Sequence, residues 1–160
     1  GPILATKDFE LSKNETYGEV EKKLSEVGAS LLIKSLENLK IKNLESKEQI
    51  HLKATYAKKI HKSETKINWN LDASRVLAHI HGLSPNPGSW FQYEKERYKV
   101  LRAEISKDKG KPGSVLDEHL TIGCKSNSIK ILELQRQGKN KKTTREFLLG
   151  NKISKGQILN

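Results

Sequence analysis

The first forty residues combine an extended stretch with an apolar series at helical spacing. The stretch "ILATKDFEL" reads as a short strand or extended run, and Thr16-x-x-Glu19 has the pattern of a capping box. Apolar residues then recur mainly three or four positions apart, at Val20, Leu24, Val27, Leu31, Leu32, Leu36 and Leu39. This spacing predicts a helix over 18–39 with one apolar stripe. One strand and one helix cannot cover that stripe, so we expect residues 1–40 to be the last β–α unit of a domain whose remainder is absent from this chain.

Residues 41–66 have no sustained period. The segment is polar and rich in lysine. This composition is typical of an extended linker between two folded parts.

A second ordered unit is predicted over 67–160, and it begins with a short helix. Asn70 can cap this helix, Gly82 has the position of a C-terminal glycine, and Pro85 prevents the helix from continuing. Its apolar residues are spaced three and four apart, at Ala73, Val76, Leu77 and Ile80.

From Trp90 onward the pattern changes to short strands separated by polar turns. The β-type runs are 90–93, 97–106, 113–117, 119–125 and 129–135, with a closing strand at 152–159. Alternation of Leu120, Ile122 and Cys124 predicts that these three share one buried face. Thr143-x-x-Glu146 predicts a last short helix that ends at Gly150.

These elements predict an α+β fold that is mainly β. Five or six short strands with small interspersed helices fit a small closed or partly closed β-barrel resembling the oligonucleotide-binding (OB) type. The alternative is an open sheet with helices on one face.

The positive charge lies almost entirely in the second part of the chain. The 160 residues carry a formal net charge of +11. Residues 1–50 hold 8 basic and 9 acidic residues, whereas 51–160 hold 22 and 10, a net charge of +12. Such a basic surface predicts an anionic partner, either nucleic acid or an acidic surface.

Other compositional features set the expected compartment. No apolar run approaches the roughly 20 residues that span a bilayer, and the N-terminus lacks the layout of a secretory signal, so we expect a cytoplasmic protein. A single Cys124 agrees with a reducing compartment. The sequence contains no methionine and starts "GPIL", which predicts an internal start, with a tag-cleavage scar or initiator-methionine removal as alternatives.

Two basic clusters are candidates for phosphate binding. Lysines on a flexible connector can follow a phosphate backbone, and basic residues beside a helix start can join its backbone N–H donors. The candidates are Lys58, Lys59 and Lys62 in the linker, and Arg136, Lys139, Lys141, Lys142 and Arg145 in the loop "RQGKNKKTTR". The alternative is a solvated, purely structural set of charges.

Aromatic residues offer a second candidate chemistry. Side chains on OB-type barrels can stack on bases, but packing in the core is the preferred interpretation here. The residues concerned are Trp69, Trp90, Phe91, Tyr93 and Tyr98.

The remaining polar motifs do not indicate catalysis or a metal site. His79 and His81 lie two positions apart, so they face away from each other on a helix. The triplet Asp117-Glu118-His119 lies at a predicted turn, where such residues serve turn chemistry. Cys124 is best interpreted as a small buried hydrophobe. The glycines match no nucleotide-binding pattern, and no catalytic residue is assigned.

Several segments, taken in order, closely resemble the C-terminal half of the methionyl-tRNA formyltransferase family. They are "TYGEVEKKLSEVGASLLIKSLENL", "TYAKKIHKSETKINW", "IHGLSPNPGSWF" and "GKNKKTTREFLLGNKISKGQIL". The chain departs from the common family pattern at Asn68, where many members have Asp, and at Asn86, where many have Trp. We assign no function to either position.

The resemblance implies a division of labour within a longer enzyme. A Rossmann-like domain, present here only as residues 1–40, would bind 10-formyltetrahydrofolate and transfer the formyl group to initiator methionyl-tRNA. The linker and an OB-like domain at 67–160 would hold the tRNA, in a monomer, and basic residues matching Lys59 and Lys62 are linked to that role. The family's catalytic residues precede the point where this chain begins, so this chain alone is expected to be inactive and to hold no cofactor.

Two other hypotheses remain. The chain is then either a stand-alone RNA-binding module or part of another folate-dependent formyltransferase. The unpaired apolar stripe speaks against the first, and the broad positive charge against the second.

Overall fold

A computed structural model describes residues 1–41 and 45–160, and it divides the chain into two units. The first unit comprises 1–13 and 19–59, and the second unit comprises 14–18 and 60–160. The helices are α1 (Tyr17–Lys40), α2 (Ala73–Leu83) and α3 (Thr144–Leu148), with single 3-10 turns at His51–Lys53 and Lys62–Thr65. The strands are β1 (Ser89–Tyr93), β2 (Glu96–Ser106), β3 (Thr121–Gly123), β4 (Ser128–Arg136) and β5 (Lys142–Thr143).

Helix α1 confirms the predicted helix and leaves its apolar stripe uncovered. None of its residues is buried. Five of its aliphatic side chains are 45–59% exposed, namely Leu24, Leu32, Ile33, Leu36 and Leu39, whereas Val20, Val27 and Leu31 are partly buried. The strand proposed for 3–11 does not form. Its one pairing among the described residues is the bridge between Ile3 and Lys47, whose backbone groups exchange two hydrogen bonds of 2.8 and 2.9 Å.

The second unit contains one antiparallel sheet in the order β1-β2-β4-β3, with β5 beside β4. Strands β1, β2 and β4 lie within one residue of the predicted bounds. β1 and β2 form a hairpin whose two turn residues, Glu94 and Lys95, have φ of 47° and 68°. Alternation along β1 and β2 directs Phe91, Tyr98 and Val100 into the core, where each is at most 6% exposed.

The limits of α2 differ from the prediction. Asn68 Oδ1 accepts a hydrogen bond of 3.0 Å from the backbone N–H of Asn70, so Asn70 lies in a turn and the N-cap is Asp72. Gly82 lies within the helix rather than after it. The helix ends at Leu83, and the C-cap Ser84 is extended with a ψ of 135°, as expected for a residue that precedes proline. The Ser84 hydroxyl also donates to the Leu101 carbonyl at 2.7 Å.

Several predicted strands are reduced to bridges or shortened. The run 119–125 contains only the three residues of β3, because Leu120 has a φ of 57° and a turn follows at Cys124. Leu120, Ile122 and Cys124 are nevertheless all buried, as predicted, and Thr121 is buried as well, so both faces are covered. The run 113–117 makes isolated bridges only. The run 152–159 is interrupted by a turn at Gly156, which has a φ of +87°.

The predicted α3 is confirmed, but it ends earlier than expected. The Thr143 hydroxyl accepts from the Glu146 backbone N–H at 3.3 Å, and the Glu146 carboxylate accepts from the Thr143 backbone N–H at 2.9 Å. This reciprocal pair is the predicted capping box. The helix stops at Leu148 rather than at Gly150.

The sheet formed by these five strands is open, so the predicted barrel is not confirmed. Short non-strand segments nevertheless bond to its edges. Gln92 of β1 exchanges two backbone hydrogen bonds with Asn160, and Leu159 donates to the Gly113 carbonyl at 2.8 Å. Gly113 in turn donates to the carbonyl of Gly123 in β3 at 2.9 Å.

Glycines permit that close approach. A Cβ on Gly113 would lie 2.8 Å from the Leu159 carbonyl oxygen, and Gly113 has a φ of +80°. A Cβ on Gly123 would lie 2.4 Å from the Lys111 carbonyl oxygen. Larger residues at either position would push these segments apart.

Within the described residues, no helix is both long and apolar enough to traverse a lipid bilayer.

Candidate nucleic-acid interface

The outer face of the β1–β2–β4 region carries aromatic and basic side chains. Trp90 pairs with Lys99 across the hairpin, and Lys99 pairs with Gln135 of β4. Arg97 is paired with Gln92, so it lies diagonally from Trp90 on the same face. The alternation that buries Phe91 and Tyr98 therefore turns Trp90, Arg97 and Lys99 outward.

The Trp90 ring is fixed by contacts on several sides. Its Nε1–H donates to Thr65 Oγ1 at 2.9 Å, and the Thr65 hydroxyl itself donates to the Lys62 carbonyl at 2.8 Å. The guanidinium carbon of Arg97 lies over the ring, 4.3 Å from its centroid, and Lys66 Nζ lies 5.8 Å away. Two cations held against one indole ring constitute cation–π contacts, which are also used to recognise planar ligands.

These residues border an open pocket of about 470 Å³. We call it the Trp90 groove and define it by Trp90 and the four cations Lys62, Arg97, Lys99 and Arg136. Ile60, Pro87 and Gly88 form part of its walls. Among the described residues that line it, none is a carboxylate. The four cations give the lining of this groove a positive charge.

Arg136 is the most constrained of the four cations. Its guanidinium forms a bidentate ion pair with the carboxylate of Glu96, and both side chains remain about 40% exposed. Hydrogen bonding to Arg136 lowers the pKa of Glu96, and the same contact raises the pKa of Arg136. The pair fixes the orientation of Arg136 but compensates part of its charge.

The structure separates the predicted basic residues into several places. Lys62 and Arg136 meet in the Trp90 groove. Lys139 and Lys142 join Arg136 along a neighbouring pocket beside Phe147. These three lie close enough to act on one phosphate backbone.

The other predicted residues lie elsewhere. Lys141 Nζ is 3.6 Å from a carboxylate oxygen of Glu133. Arg145 lies on α3 and lines a different pocket with Lys130. Lys58 and Lys59 are exposed and belong to the first unit.

The prediction that the aromatic residues pack in the core is confirmed for four of the five. Trp69, Phe91, Tyr93 and Tyr98 are at most 9% exposed. Phe91 and Tyr98 are stacked with ring centroids 5.4 Å apart. Trp90 is the exception, because it is only partly buried and faces the groove.

Histidine and acidic motifs have structural partners. The His79 ring bonds the Glu64 carbonyl at 2.7 Å through Nε2, and buried His81 accepts from the Ala103 backbone N–H at 3.3 Å. Asp117 accepts hydrogen bonds from the backbone of His119 and Thr121 at 2.8 and 3.0 Å, so its predicted role in a turn is confirmed. Over residues 1–41 and 45–160 no three His, Cys, Asp or Glu side chains form a metal-binding group.

Burial determines the state of the one cysteine. Cys124 is 2% exposed, as predicted for a small buried hydrophobe. Burial raises the pKa of its thiol to about 11, so it remains protonated at neutral pH.

Arg97 and Lys99 were missed as candidate ligands by sequence reasoning. Nothing in "ERYKVLRAEIS" clusters basic residues as densely as the loop at 136–145 does. The available signal was the alternation of β2 opposite Trp90, which places both on one outer face once the hairpin register is known.

Comparison with known proteins gives the family of the second unit. The family model described as formyl transferase, C-terminal domain, matches residues 59–152. Methionyl-tRNA formyltransferases of Bradyrhizobium diazoefficiens and Pelagibacter ubique are 39% and 40% identical to this chain. Each match covers 98% of the chain and 51% of the relative, so the chain spans about half the length of these relatives.

A solved structure shares the fold. HypX from Aquifex aeolicus in complex with tetrahydrofolic acid matches 98% of this chain and 29% of its own, with a TM-score of 0.74 and 19% identity. At this identity the likeness shows the architecture alone.

Proposed function

Because the chain belongs to the formyl transferase C-terminal domain family, we propose that it is the tRNA-binding portion of a methionyl-tRNA formyltransferase. The complete enzyme would transfer a formyl group from 10-formyltetrahydrofolate to the amino group of initiator methionyl-tRNA in the cytoplasm. The chemistry is attack of the amine on the formyl carbon: the new C–N bond forms, a base accepts the amine proton, and the bond from the formyl carbon to N10 breaks and releases tetrahydrofolate. Its catalytic groups would belong to the remaining half of the enzyme, so this chain alone is expected to be inactive.

One observation carries the proposal for this chain. The Trp90 groove brings four cations to one pocket beside an aromatic ring. Each lysine or arginine that neutralises a phosphate releases counterions, which favours a polyanion over a small substrate. In this arrangement the chain supplies binding energy that positions the tRNA for reaction elsewhere.

We propose that the basic residues predicted from the sequence contact tRNA, and the structural support differs among them. Lys62, Arg136, Lys139 and Lys142 line adjoining pockets and form the centre of the proposed surface. The remaining proposed tRNA contacts are Lys58, Lys59, Lys141 and Arg145.

The exposed stripe of α1 supports the proposed domain organisation. We propose that residues 1–40 complete a Rossmann-like catalytic domain, followed by a linker at 41–66 and the tRNA-binding domain at 67–160. The apolar side chains of α1 would be covered by that catalytic domain. The enzyme would act as a monomer.

We also propose that the second unit is an OB-like barrel. The hydrogen bonds from β1 to Asn160, from Leu159 to Gly113 and from Gly113 to Gly123 support closure of the sheet through these short segments. An OB-type barrel commonly binds nucleic acid on a strand face, which is where the Trp90 groove lies.

A filter-binding titration of tRNA at two salt concentrations tests this function. We expect binding that weakens steeply with salt, and reversal of Arg97 and Lys99 to Glu should reduce affinity at least tenfold and lower the salt slope by about two. The matched control reverses Lys107 and Lys125, two exposed lysines of the second unit outside the groove, and should have a much smaller effect. Equal losses in both double variants would contradict the assignment of the groove.

A further inference from the structure

We propose that the Trp90 groove binds one unpaired nucleotide of RNA, with its base stacked on Arg97 and its phosphate held by Lys62 and Lys99. This inference rests on the proposed function and adds which part of an RNA the groove contacts. Its starting point is the guanidinium of Arg97, whose carbon lies over the indole of Trp90 at 4.3 Å from the ring centroid.

The lower layer is preorganised. Trp90 is partly buried and its Nε1–H is bonded to Thr65, so the ring has a fixed orientation. The buried hydroxyl of Thr65 is itself bonded to the Lys62 carbonyl within one 3-10 turn. A fixed ring allows stacking without loss of side-chain freedom on binding.

The upper layer is accessible. Arg97 is exposed, and its guanidinium lies 4.3 Å from the Trp90 ring centroid. The face of the guanidinium turned away from the indole is therefore available to a second planar group. Unstacked RNA bases bind arginine planes in this way, and the resulting order is base, guanidinium, indole.

Two lysines supply the charge for a phosphate. Lys62 and Lys99 both line the groove. Neither takes part in an ion pair within the described part of the chain. Arg136 is less available, because Glu96 already holds its guanidinium.

The geometry favours an unpaired nucleotide over a duplex. Bases inside a helix are stacked between neighbours and present only their edges, so a duplex can offer its phosphates but no base face. A groove that bound only phosphates would gain nothing from an arginine held over an indole ring. The pocket volume of about 470 Å³ is large enough for a small planar ligand with its phosphate.

The test separates stacking from charge through Arg97→Lys. This variant keeps the positive charge and removes the planar group. We would titrate the 160-residue chain with a single-stranded adenosine oligonucleotide of about six residues and with a fully paired RNA hairpin. Arg97→Lys should weaken single-strand binding roughly tenfold and leave hairpin binding nearly unchanged. Arg75→Lys, an exposed arginine on α2 outside the groove, is the matched control and should change neither.

Tryptophan fluorescence gives an independent readout. Trp69 is buried and Trp90 borders the groove, so the oligonucleotide and free adenosine monophosphate should quench only Trp90. Inorganic phosphate should not quench it. The Trp90→Phe variant should remove the quenching. Quenching that persists in this variant would come from Trp69 and would overturn the proposal.

The outcomes distinguish the two proposals. If the chain binds neither tRNA nor either probe at low salt, the proposed function fails. Suppose the chain binds tRNA and both RNA probes, but Arg97→Lys weakens binding of the single strand and of the hairpin equally, or weakens neither. The proposed nucleotide site is then wrong, and the proposed RNA binding is retained. Binding of free adenosine monophosphate without the oligonucleotide would assign the pocket to a free nucleotide and would also overturn the RNA proposal.

Discussion

The two units of this chain use apolar residues in opposite ways. In the first unit, α1 presents Leu24, Leu32 and Leu36 at 49–59% exposure and buries none of its residues. In the second unit, 20 residues form one hydrophobic cluster, which includes Phe91, Ile122 and Leu134 at 0% exposure. Within the described residues, the apolar stripe of the amphipathic helix α1 is therefore left largely exposed. A packed sheet with its own core has the contacts that an independently folding domain needs.

The two units also differ in how their charged residues are arranged. On α1 the charged residues are those of an ordinary amphipathic helix, with acidic and basic side chains interspersed. In the second unit, a fixed core sets the register of β1 and β2, and the register sets which cations meet at Trp90. The rigid core therefore positions the proposed binding surface.

The largest expected effect is the loss of an aromatic centre in the second unit. Phe91→Ala removes a fully buried ring that lies 5.4 Å from Tyr98 and 6.3 Å from Trp69, measured between ring centroids. We expect the free energy of unfolding to fall by about 3–5 kcal/mol. Urea unfolding followed by circular dichroism measures this change.

The counterpart in the first unit is Leu32→Ala. Leu32 is 59% exposed on α1, so its truncation should change the free energy of unfolding by less than about 0.5 kcal/mol. A loss from Leu32→Ala comparable with that from Phe91→Ala would show that α1 is covered by contacts of this chain in solution.

Much of the local structure was predictable because its causes are local. Periodicity gave α1 to within one residue at each end, and the capping box at Thr143 and Glu146 gave the start of α3. β1, β2 and β4 follow from alternating burial. The errors occur where another residue overrides the preference of the one that carries the signal. Asn70 is a good capping residue, but its neighbour Asn68 holds it in a turn. Gly82 is a good helix terminator, but the helix continues through it to Leu83 and stops before the Ser84–Pro85 step.

The proposed groove was harder to predict for the same reason. Its basic residues come from a 3-10 turn, from β2 and from the end of β4. Dense runs such as the one at 136–145 are visible in a sequence. Arg97 and Lys99 become candidates only once the pairing of β1 with β2 places them on the same face as Trp90. The hairpin register is therefore the information that the sequence pattern did not supply.

The second expected effect concerns a polar contact within the second unit. Asp117 accepts bonds from Thr121 through both carboxylate oxygens, at 3.0 Å from the backbone N–H and 2.6 Å from the hydroxyl. Burial raises the pKa of Asp117, but these hydrogen bonds together outweigh it, so the pKa lies below its ordinary value. Asp117→Asn should lower the free energy of unfolding by about 1–2 kcal/mol at neutral pH.

The sign of the pH dependence follows from the depressed pKa. The ionised carboxylate is favoured in the folded state, so its contribution is complete above the ordinary pKa of an aspartate and is lost as the pH falls through the folded-state value. The difference between wild type and Asp117→Asn should therefore stay constant from neutral pH down to the ordinary aspartate pKa of about 3.9 and shrink as the pH falls below it. Glu118→Gln, at the exposed neighbouring position, is the control and should show little difference above or below that pKa. If the difference in the free energy of unfolding between wild type and Asp117→Asn stays constant with pH, ionisation of the Asp117 carboxylate does not cause it.

The last expected effect is a gain in stability confined to α1. Gly28 lies in the middle of this helix, and a Cβ built on it meets no atom within 4 Å. Gly28→Ala should therefore stabilise the helix by about 0.5–1 kcal/mol, since alanine loses less backbone entropy and causes no clash. On mild heating, far-UV circular dichroism should show that Gly28→Ala keeps more helix than the wild type. The unfolding midpoint reported by Trp69 fluorescence, which probes the core of the second unit, should be the same in both. If that midpoint shifts together with the helix signal, α1 and the second unit unfold as one cooperative structure. The two units would then differ in the exposure of their apolar residues but not in independent stability.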